Sequence, residues 1–399
     1  EMIEENKIGF LSKPSTKRYS FAKKLKKRVF LLSALLLCLH TEMVSIHGSF
    51  SVSGLRMRTT SHNGPRLGTR PPDPQTLLTP LQLKECVDML EDWMSTKQSI
   101  LTITGAGIST ESGIPDYRGN RGSYHDGHKP MLHHQFMASA ENRKRYWGRG
   151  LVGWRDFDQR LPNKGHFALA TLEQRGKIGV MFQDSPDYHS PEGKHRTADT
   201  FRNGWQTLSI ITQNVDALHH RAGSVDITEL HGRTSRLKCM TCGTYQSRQH
   251  FTDLLESLNR DWLDQILQQQ NKENDKDLRP DGDAFLRPNQ DYNDLIIPPC
   301  SKCGEGFFKP DVVFFGDSVP KHRVARCKAA VDSSDGLLCI GSSLEVNSAF
   351  QHVKRAALKG TEICILNVGD TRAEVAGLPC ITRISAPIGP TLSSLVERI

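Results

Sequence analysis

Residues 100–110, Ile100-Leu101-Thr102-Ile103-Thr104-Gly105-Ala106-Gly107-Ile108-Ser109-Thr110, decide how the rest of the chain is read. A short β-rich run that ends in Gly-Ala-Gly is a strand passing through a tight turn into a helix. Glycines in such a turn let backbone N–H groups approach a pyrophosphate at the positive end of the helix. The fingerprint is incomplete, because Thr110 stands where a third glycine is usual. Taken by itself, such a stretch is often only a turn. No Gly-Lys-Ser/Thr follows, so a phosphate-loop NTPase is unsupported.

On its N-terminal side lies a punctuated helix. After Pro71-Pro72-Asp73-Pro74, Thr79 can cap, Pro80 suits the first turn and Gln82 completes a capping box. Leu83, Val87, Leu90 and Met94 then recur on one helical face. On its C-terminal side, apolar runs recur at Leu208–Ile211, Asp311–Phe315, Gly336–Ile340 and Glu362–Leu366, alternating with helical stretches such as Ser348–Leu358, closed by Gly360. Strands of this kind alternating with helices give a parallel α/β sheet covered on both faces. The expected fold class is therefore α/β, with a Rossmann-like domain over 75–232 and 309–399 and a smaller, partly helical module over 233–308. Residues 179–204, rich in Asp, Ser, Pro and His without periodicity, interrupt this pattern as a long loop or an insertion.

The chain has 399 residues and a formal charge of +8, unevenly spread. Residues 1–72 carry 13 Lys and Arg against 4 Asp and Glu, and the remaining 327 carry 39 against 40. A nearly neutral body removes the main support for a nucleic-acid partner, which would need many phosphate contacts. Within the basic leader, Lys23 to Arg28 precedes an 11-residue apolar run, Val29–Leu39, too short to span a bilayer as a helix. From Met43 to Arg70 the composition is rich in Ser and Arg and free of acid, the mark of an organelle transit peptide. Residue 1 is Glu, so the expectation is that Met43 is the true start, with 1–42 a doubtful leader and 43–74 a transit peptide and linker. A disordered basic tail is the plainer alternative. No membrane span is expected.

Four of ten cysteines form Cys239-Met-Thr-Cys242 and Cys300-Ser-Lys-Cys303. Two such turns supply four soft ligands for one tetrahedral Zn²⁺, and a closed four-thiolate site makes that zinc structural. Redox pairs or a disulfide framework are the competing readings. Cys339 and Cys364 fall inside apolar strands and read as small hydrophobes.

Further motifs follow in order. Residues 105–118 read GAGISTESGIPDYR, 212–218 TQNVDAL, 229–232 ELHG, 309–317 KPDVVFFGD and 341–343 GSS, around the CxxC pairs. This ordered set resembles the sirtuin family of NAD-dependent protein deacylases over about residues 75–385. Segments 258–262 (LNRDW) and 280–286 (PDGDAFL) resemble its mitochondrial class II branch. The resemblance implies a transferase that uses NAD and acts on acylated mitochondrial proteins in the matrix. It implies that Gly105, Ala106, Gly107, Thr110, Gly341, Ser342 and Ser343 hold the pyrophosphate and adenosine end. Asn367, Val368 and Gly369 would follow on the adenosine side. Asp116, Tyr117 and Arg118 would close over the nicotinamide ribose, and Gln213, Asn214, Val215 and Asp216 would form the nicotinamide pocket. His231 is the implied catalytic base, suited to it because an imidazole titrates near neutrality, and Asn214 is counted with it.

In the implied reaction, nicotinamide leaves as the acyl-lysine oxygen attacks the ribose. His231 then activates a ribose hydroxyl, and water releases lysine and 2′-O-acyl-ADP-ribose. Phe314, Phe315, Gly316 and Glu345 would line a peptide cleft that adds a substrate strand through main-chain hydrogen bonds. The acyl group is expected to extend to acidic, lipoyl or other non-acetyl types. Tyr146 and Arg149, three apart on one helical face, would read an acyl carboxylate, and a solvated basic run is the alternative. On that expectation, Arg149→Met selectively weakens hydrolysis of glutaryl-type substrates.

Two departures stand out: the 179–204 stretch, either translated intron or a genuine lid, and Asp317, where Glu is more common. Two rival functions stay open: a mono-ADP-ribosyltransferase using the same pocket, and a zinc-containing binding module with little catalysis. Hydride transfer is disfavoured, because Asn214, Asp216 and His231 suit glycosidic-bond chemistry.

Overall fold

A computed structural model describes residues 78–119, 122–125, 127, 129–183, 205–273, 279–287 and 289–399. The expected leader 1–42, the expected transit peptide and linker 43–74 and residues 184–204 of the expected insertion lie outside the described residues. In chain order the elements are α1 (Pro80–Ser95), β1 (Ile100–Thr104), a 3₁₀ turn (Ala106–Ser112), α2 (His133–Ala138), α3 (Ala140–Asp158), α4 (Lys164–Gln174), β2 (Val180–Gln183), β3 (Trp205–Leu208), β4 (Ile210–Thr212), α5 (Leu218–Arg221) and β5 (Ile227–Glu229). There follow β6 (Gly232–Cys239), β7 (Tyr245–Ser247), α6 (Arg248–Leu258), α7 (Arg260–Glu273), β8 (Phe308–Val312), α8 (Lys321–Ser333), β9 (Gly336–Ile340), α9 (Asn347–Lys359), β10 (Glu362–Leu366), α10 (Arg372–Val375), β11 (Ile381–Ile384) and α11 (Ile388–Val396).

Six strands form a parallel sheet in the order β11-β10-β9-β1-β4-β5. All five residues of β1 are buried, because the sheet is covered on both sides. Ile100 packs toward Val87, Leu90, Leu169 and Leu392 on one face. Leu101 and Ile103 pack toward Cys327, Val331 and Val353 on the other. At the start of α1 the Thr79 hydroxyl accepts from the Gln82 N–H, and Gln82 Oε1 accepts from the Thr79 N–H, closing the capping box. Gly360 ends α9 at φ 81°, a left-handed conformation natural to glycine.

The apolar run at 311–315 departs from expectation. Its strand is β8, and it runs antiparallel to β6 in a separate three-stranded sheet, β7-β6-β8. The 208–211 run divides at Ser209, whose N–H donates to the Asp226 carbonyl; β3 pairs antiparallel with β2, and β4 joins the parallel sheet.

The smaller lobe also takes α2 and α3 from the stretch assigned to the larger domain. Phe136, Tyr146, Trp147 and Leu151 share one core with Leu237, Phe251, Leu255, Leu295 and Phe308. The Trp147 and Phe251 ring centroids stand 4.5 Å apart. Burying these aromatics is worth about 2–3 kcal/mol each. Among the described residues no helix is long and apolar enough to cross a membrane.

Candidate active site

The parallel strands present their carboxyl ends to one cleft. β4 lies on one side of β1 and β9 on the other, so the crossovers diverge there, where open α/β sheets hold ligands. The cleft is about 1970 Å³, above the roughly 300–1,000 Å³ common for small-molecule sites, so it has room for a dinucleotide and a peptide side chain together.

The turns after β1 and β9 are interlocked. The Gly105 N–H donates to the Ile340 carbonyl and the Gly107 N–H to the Gly341 carbonyl at 2.8 Å. A Cβ on Gly107 would lie 2.8 Å from the Gly341 oxygen, and one on Gly341 would lie 2.6 Å from the Ile108 nitrogen. These glycines therefore serve close contact between two turns that form the cleft wall, and the expected helix opens as a 3₁₀ turn. Ser109, absent from the site set read in the sequence, is buried, donates to Asp216 Oδ2 at 2.7 Å and lies 3.0 Å from Asn214 Nδ2. Asn214 Nδ2 also donates to the Gly105 carbonyl at 3.1 Å, and the Leu218 N–H donates to Asp216 Oδ1 at 2.9 Å. Burial pushes the Asp216 carboxyl up from its ordinary range. Ala217, the next residue, is left-handed at φ 60°, a conformation that costs a non-glycine residue about 1 kcal/mol or more. Gln213 Nε2 donates to Ser342 Oγ at 2.8 Å.

His231 stands between β5 and β6, where the two lobes meet. Its Nδ1 is 3.0 Å from the Gln213 carbonyl, which can only accept, so Nδ1 carries the proton. Its Nε2 lies 2.7 Å from Ser348 Oγ, at the start of α9. Burial first, with repulsion from Arg323, pushes the imidazole down to about 4, so it is neutral above that pH.

The loop at 115–125 folds back on itself. Asp116 Oδ1 accepts from the Gly119 N–H at 2.8 Å, and Tyr117 and Arg118 pack on the Tyr124 ring. Across the cleft, the Phe315 carbonyl accepts from the His133 N–H at 2.9 Å. Asp317 lies 3.6 Å from Lys309 and 3.7 Å from His133, and so braces the Phe314–Gly316 segment with its shorter side chain. Leu344, before Glu345, is left-handed at φ 57° although buried. Asn367 Nδ2 donates to the Gly369 carbonyl at 2.6 Å.

The structure brings nearly the whole expected set to this one cleft. Gly105, Ala106, Gly107, Thr110, Asp116, Tyr117, Arg118, Gln213, Asn214, Val215, Asp216 and His231 line it, with Phe314, Phe315, Gly316, Gly341, Ser342, Ser343, Glu345, Asn367, Val368 and Gly369. Tyr146 and Arg149 are not in the lining. Tyr146 is buried behind Phe314, with ring centroids 5.4 Å apart. Arg149 is engaged by Asp283, Nη2 to Oδ2 at 3.0 Å, in a pair whose carboxylate side chain is 2% exposed. Arg279 and Phe285, from the same 280s loop, reach the cleft instead.

The sulfurs of Cys239, Cys242, Cys300 and Cys303 all lie within 4.8 Å of one another. Cys239–Cys303 and Cys242–Cys300 are each 3.8 Å apart, close to the edge of a tetrahedron built on Zn–S bonds of about 2.3 Å. Disulfide sulfurs would lie about 2.05 Å apart, so no disulfide joins these four, and the convergence of all four on one point favours a metal site over two separate pairs. A Cβ on Gly306 would lie 2.4 Å from the Cys239 sulfur, which leaves that loop room only for glycine. The set fits one structural Zn²⁺ with no open position.

Comparison with known proteins accords with this geometry. Residues 105–188 and 180–348 match the Sir2 family. The chain is 38% identical over 300 residues to NAD-dependent protein deacetylase 1 of Streptomyces coelicolor, covering 75% of this chain and 86% of that protein. It is 37% identical over 318 residues to NAD-dependent protein deacylase Sirt4 of Drosophila melanogaster, covering 79% and 88%. Among solved structures, a Sir2 enzyme at 25% identity aligns with a TM-score of 0.54 over 79% of this chain and 97% of its own. A Sir2 mutant with a p53 peptide and NAD, at 22% identity, aligns with the same score over 78% and 97%. Sheet order, interlocked glycine turns, the four-cysteine cluster and this similarity all lead to one conclusion: the chain belongs to the Sir2 family.

Proposed function

We propose that the protein is an NAD-dependent protein-lysine deacylase. One observation carries this reading: a neutral histidine, His231, stands at the joint between the nucleotide-side turns and the Phe314–Gly316 edge, its tautomer fixed by the Gln213 carbonyl. NAD, when bound, supplies a ribose carbon activated by nicotinamide as leaving group. The residues that would hold it are Ala106, Gly107, Thr110, Ser342 and Ser343 toward the pyrophosphate, with Asn367, Val368 and Gly369 on the adenosine side. Asn214 and Asp216, tied together through Ser109, present a pre-set polar wall for the nicotinamide end. Asp116, Tyr117 and Arg118 would close over it and exclude water. With its Nδ1 protonated, His231 has only Nε2 free to accept a proton from a ribose hydroxyl. Phe315 and Glu345 would flank an extended substrate segment.

Non-acetyl acyl groups, acidic or lipoyl among them, are the proposed substrate range, on acylated proteins of the mitochondrial matrix. The Met43–Arg70 composition and the resemblance to the class II branch support that address. Arg279 and Phe285 at the cleft, with Arg149 held by Asp283, favour the 280s loop over the Tyr146/Arg149 pair as the region that meets the acyl chain. The test is an acyl-peptide panel with NAD, read by product mass. Free nicotinamide and 2′-O-acyl-ADP-ribose are expected, lost in His231→Ala. ADP-ribosylated protein without deacylated peptide would transfer the reading to the ADP-ribosyltransferase alternative. Peptide binding with no product would leave a binding module.

A further inference from the structure

Among the described residues, the hydroxyl on the base nitrogen of His231 is the least expected contact in the cleft. Because the Gln213 carbonyl holds the proton on Nδ1, the neutral ring has an unprotonated Nε2. Ser348 Oγ, 2.7 Å away, must therefore be the donor of that hydrogen bond. Ser348 is the second residue of α9 and lines the same cleft. Its backbone is fixed by the helix, and its carbonyl accepts from Gln351 Nε2 at 3.1 Å. An O–H donor aimed at Nε2 has the chemistry and the direction of the ribose hydroxyl that the deacylase reading brings to the same nitrogen. Two donors cannot use one lone pair.

We infer that Ser348 is a positioning residue that stands in for the substrate hydroxyl, holding the His231 ring aligned in the free enzyme and competing with that hydroxyl for Nε2. The inference rests on the deacylase reading. In the free protein the hydroxyl satisfies an acceptor on a half-buried ring, one that would cost free energy to leave unpaired. When the ribose hydroxyl arrives, Ser348 must rotate away before the proton can pass from the ribose oxygen to Nε2. The hydroxyl thus slows the forward step after nicotinamide departure, and leaves more time for nicotinamide to return.

The experiment compares wild type, Ser348→Ala and Ser348→Thr, full length and zinc-loaded, with NAD and acetyl-, glutaryl- and lipoyl-lysine peptides as probes. Ala is the best helix former and keeps α9, while Thr keeps the hydroxyl. The ratio of labelled nicotinamide exchange to deacylated peptide is read for each. We expect it to fall about fivefold in Ser348→Ala, the scale of one neutral hydrogen bond, and to stay near wild type in Ser348→Thr. In parallel, nitrogen-15 spectra of the ligand-free proteins report on the imidazole. The Nε2 resonance should move in Ser348→Ala and Nδ1 should hold its place. An unchanged ratio in an active enzyme, a rise in the ratio with loss of deacylation, or an unmoved Nε2 resonance overturns the inference and leaves the deacylase reading intact. A wild-type protein that yields no deacylated peptide from any of these probes, with the Nε2 shift present, overturns the deacylase reading and the competition with it.

Discussion

His231 and Arg149 show how the same physics decides opposite outcomes for two side chains named in advance. The imidazole is half-buried against a carbonyl that fixes its tautomer, and burial holds it down near 4. A base acts when unprotonated, so its activity is present above its own pKa and lost as pH falls through it. The acid limb of kcat/KM is therefore expected toward about pH 4, well below the 6.5 of an exposed histidine. A limb centred at 6.5 would show that the ring is solvated in the working enzyme. Arg149 is held by a carboxylate that is itself out of water. Arg149→Met would leave Asp283 buried beside Asp281 with its main counter-charge gone. The expected result is a loss of about 3–5 kcal/mol in denaturant unfolding, with activity on acetyl and glutaryl peptides falling together. Adding Asp283→Asn should recover part of that loss. A glutaryl-selective defect at unchanged stability would restore the carboxylate-reading role. Nothing in Tyr-x-x-Arg announces this pairing, because its partner lies 134 residues away.

Elements carry the next level of consequence. The turn after β1 and the turn after β9 touch with no room for a Cβ, so Gly107→Ala must push Gly341 and the 3₁₀ turn apart. NAD binding by calorimetry should weaken tenfold or more, with a smaller fall in melting temperature; unchanged binding would show that the turns yield freely. In α9, His352 is fully buried and neither ring nitrogen has a hydrogen-bond partner. Burial, with Lys328 and Arg355 nearby, pushes it down to about 4. Its folded value lies below its unfolded one, so stability is complete above pH 6.5 and is lost as pH falls toward 4. His352→Leu removes that dependence. The variant's advantage in unfolding free energy should grow by up to about 3 kcal/mol between pH 7 and 4, and a pH-independent difference would contradict the assignment. At this scale much was legible in the sequence: the capped α1, the buried β1, β9 and β10, and the glycine stop of α9 all follow from local pattern. The β8 strand was read into the wrong sheet because an apolar run specifies burial but not which partner provides it. Ser109 could have been found, inside the GAGISTESGIPDYR motif and five residues past the end of β1. Ser348 could not, since only the fold brings it to His231.

The described residues form two lobes sharing one chain. Zinc holds more than the cysteine loops, since the same core contains α2, α3 and Phe314 from the cleft wall. Removing the metal with a chelator, or Cys300→Ala, should loosen that entire lobe. Tryptophan fluorescence from Trp147 should shift and peptide binding should be lost, while far-UV signal from the parallel sheet largely persists. Retention of peptide affinity without zinc would show that the aromatic core stands alone. The composition of this lobe could not be read from sequence order, because residues 131–152 precede their partners by about a hundred positions.

Among the described residues the chain passes between the lobes four times: after the 3₁₀ turn and before α2, between α3 and α4, between β5 and β6, and between β8 and α8. Every one of these crossings carries cleft residues: Asp116 to Arg118 on the first, Arg160 on the second, His231 on the third and Phe314 to Gly316 on the fourth. The groups that would do the chemistry are thus the hinges themselves. Any change in the angle between the lobes must be absorbed by those four segments, so on the deacylase reading it would re-aim His231 and both walls at once. On that reading, substrate grip and His231 alignment would be one motion.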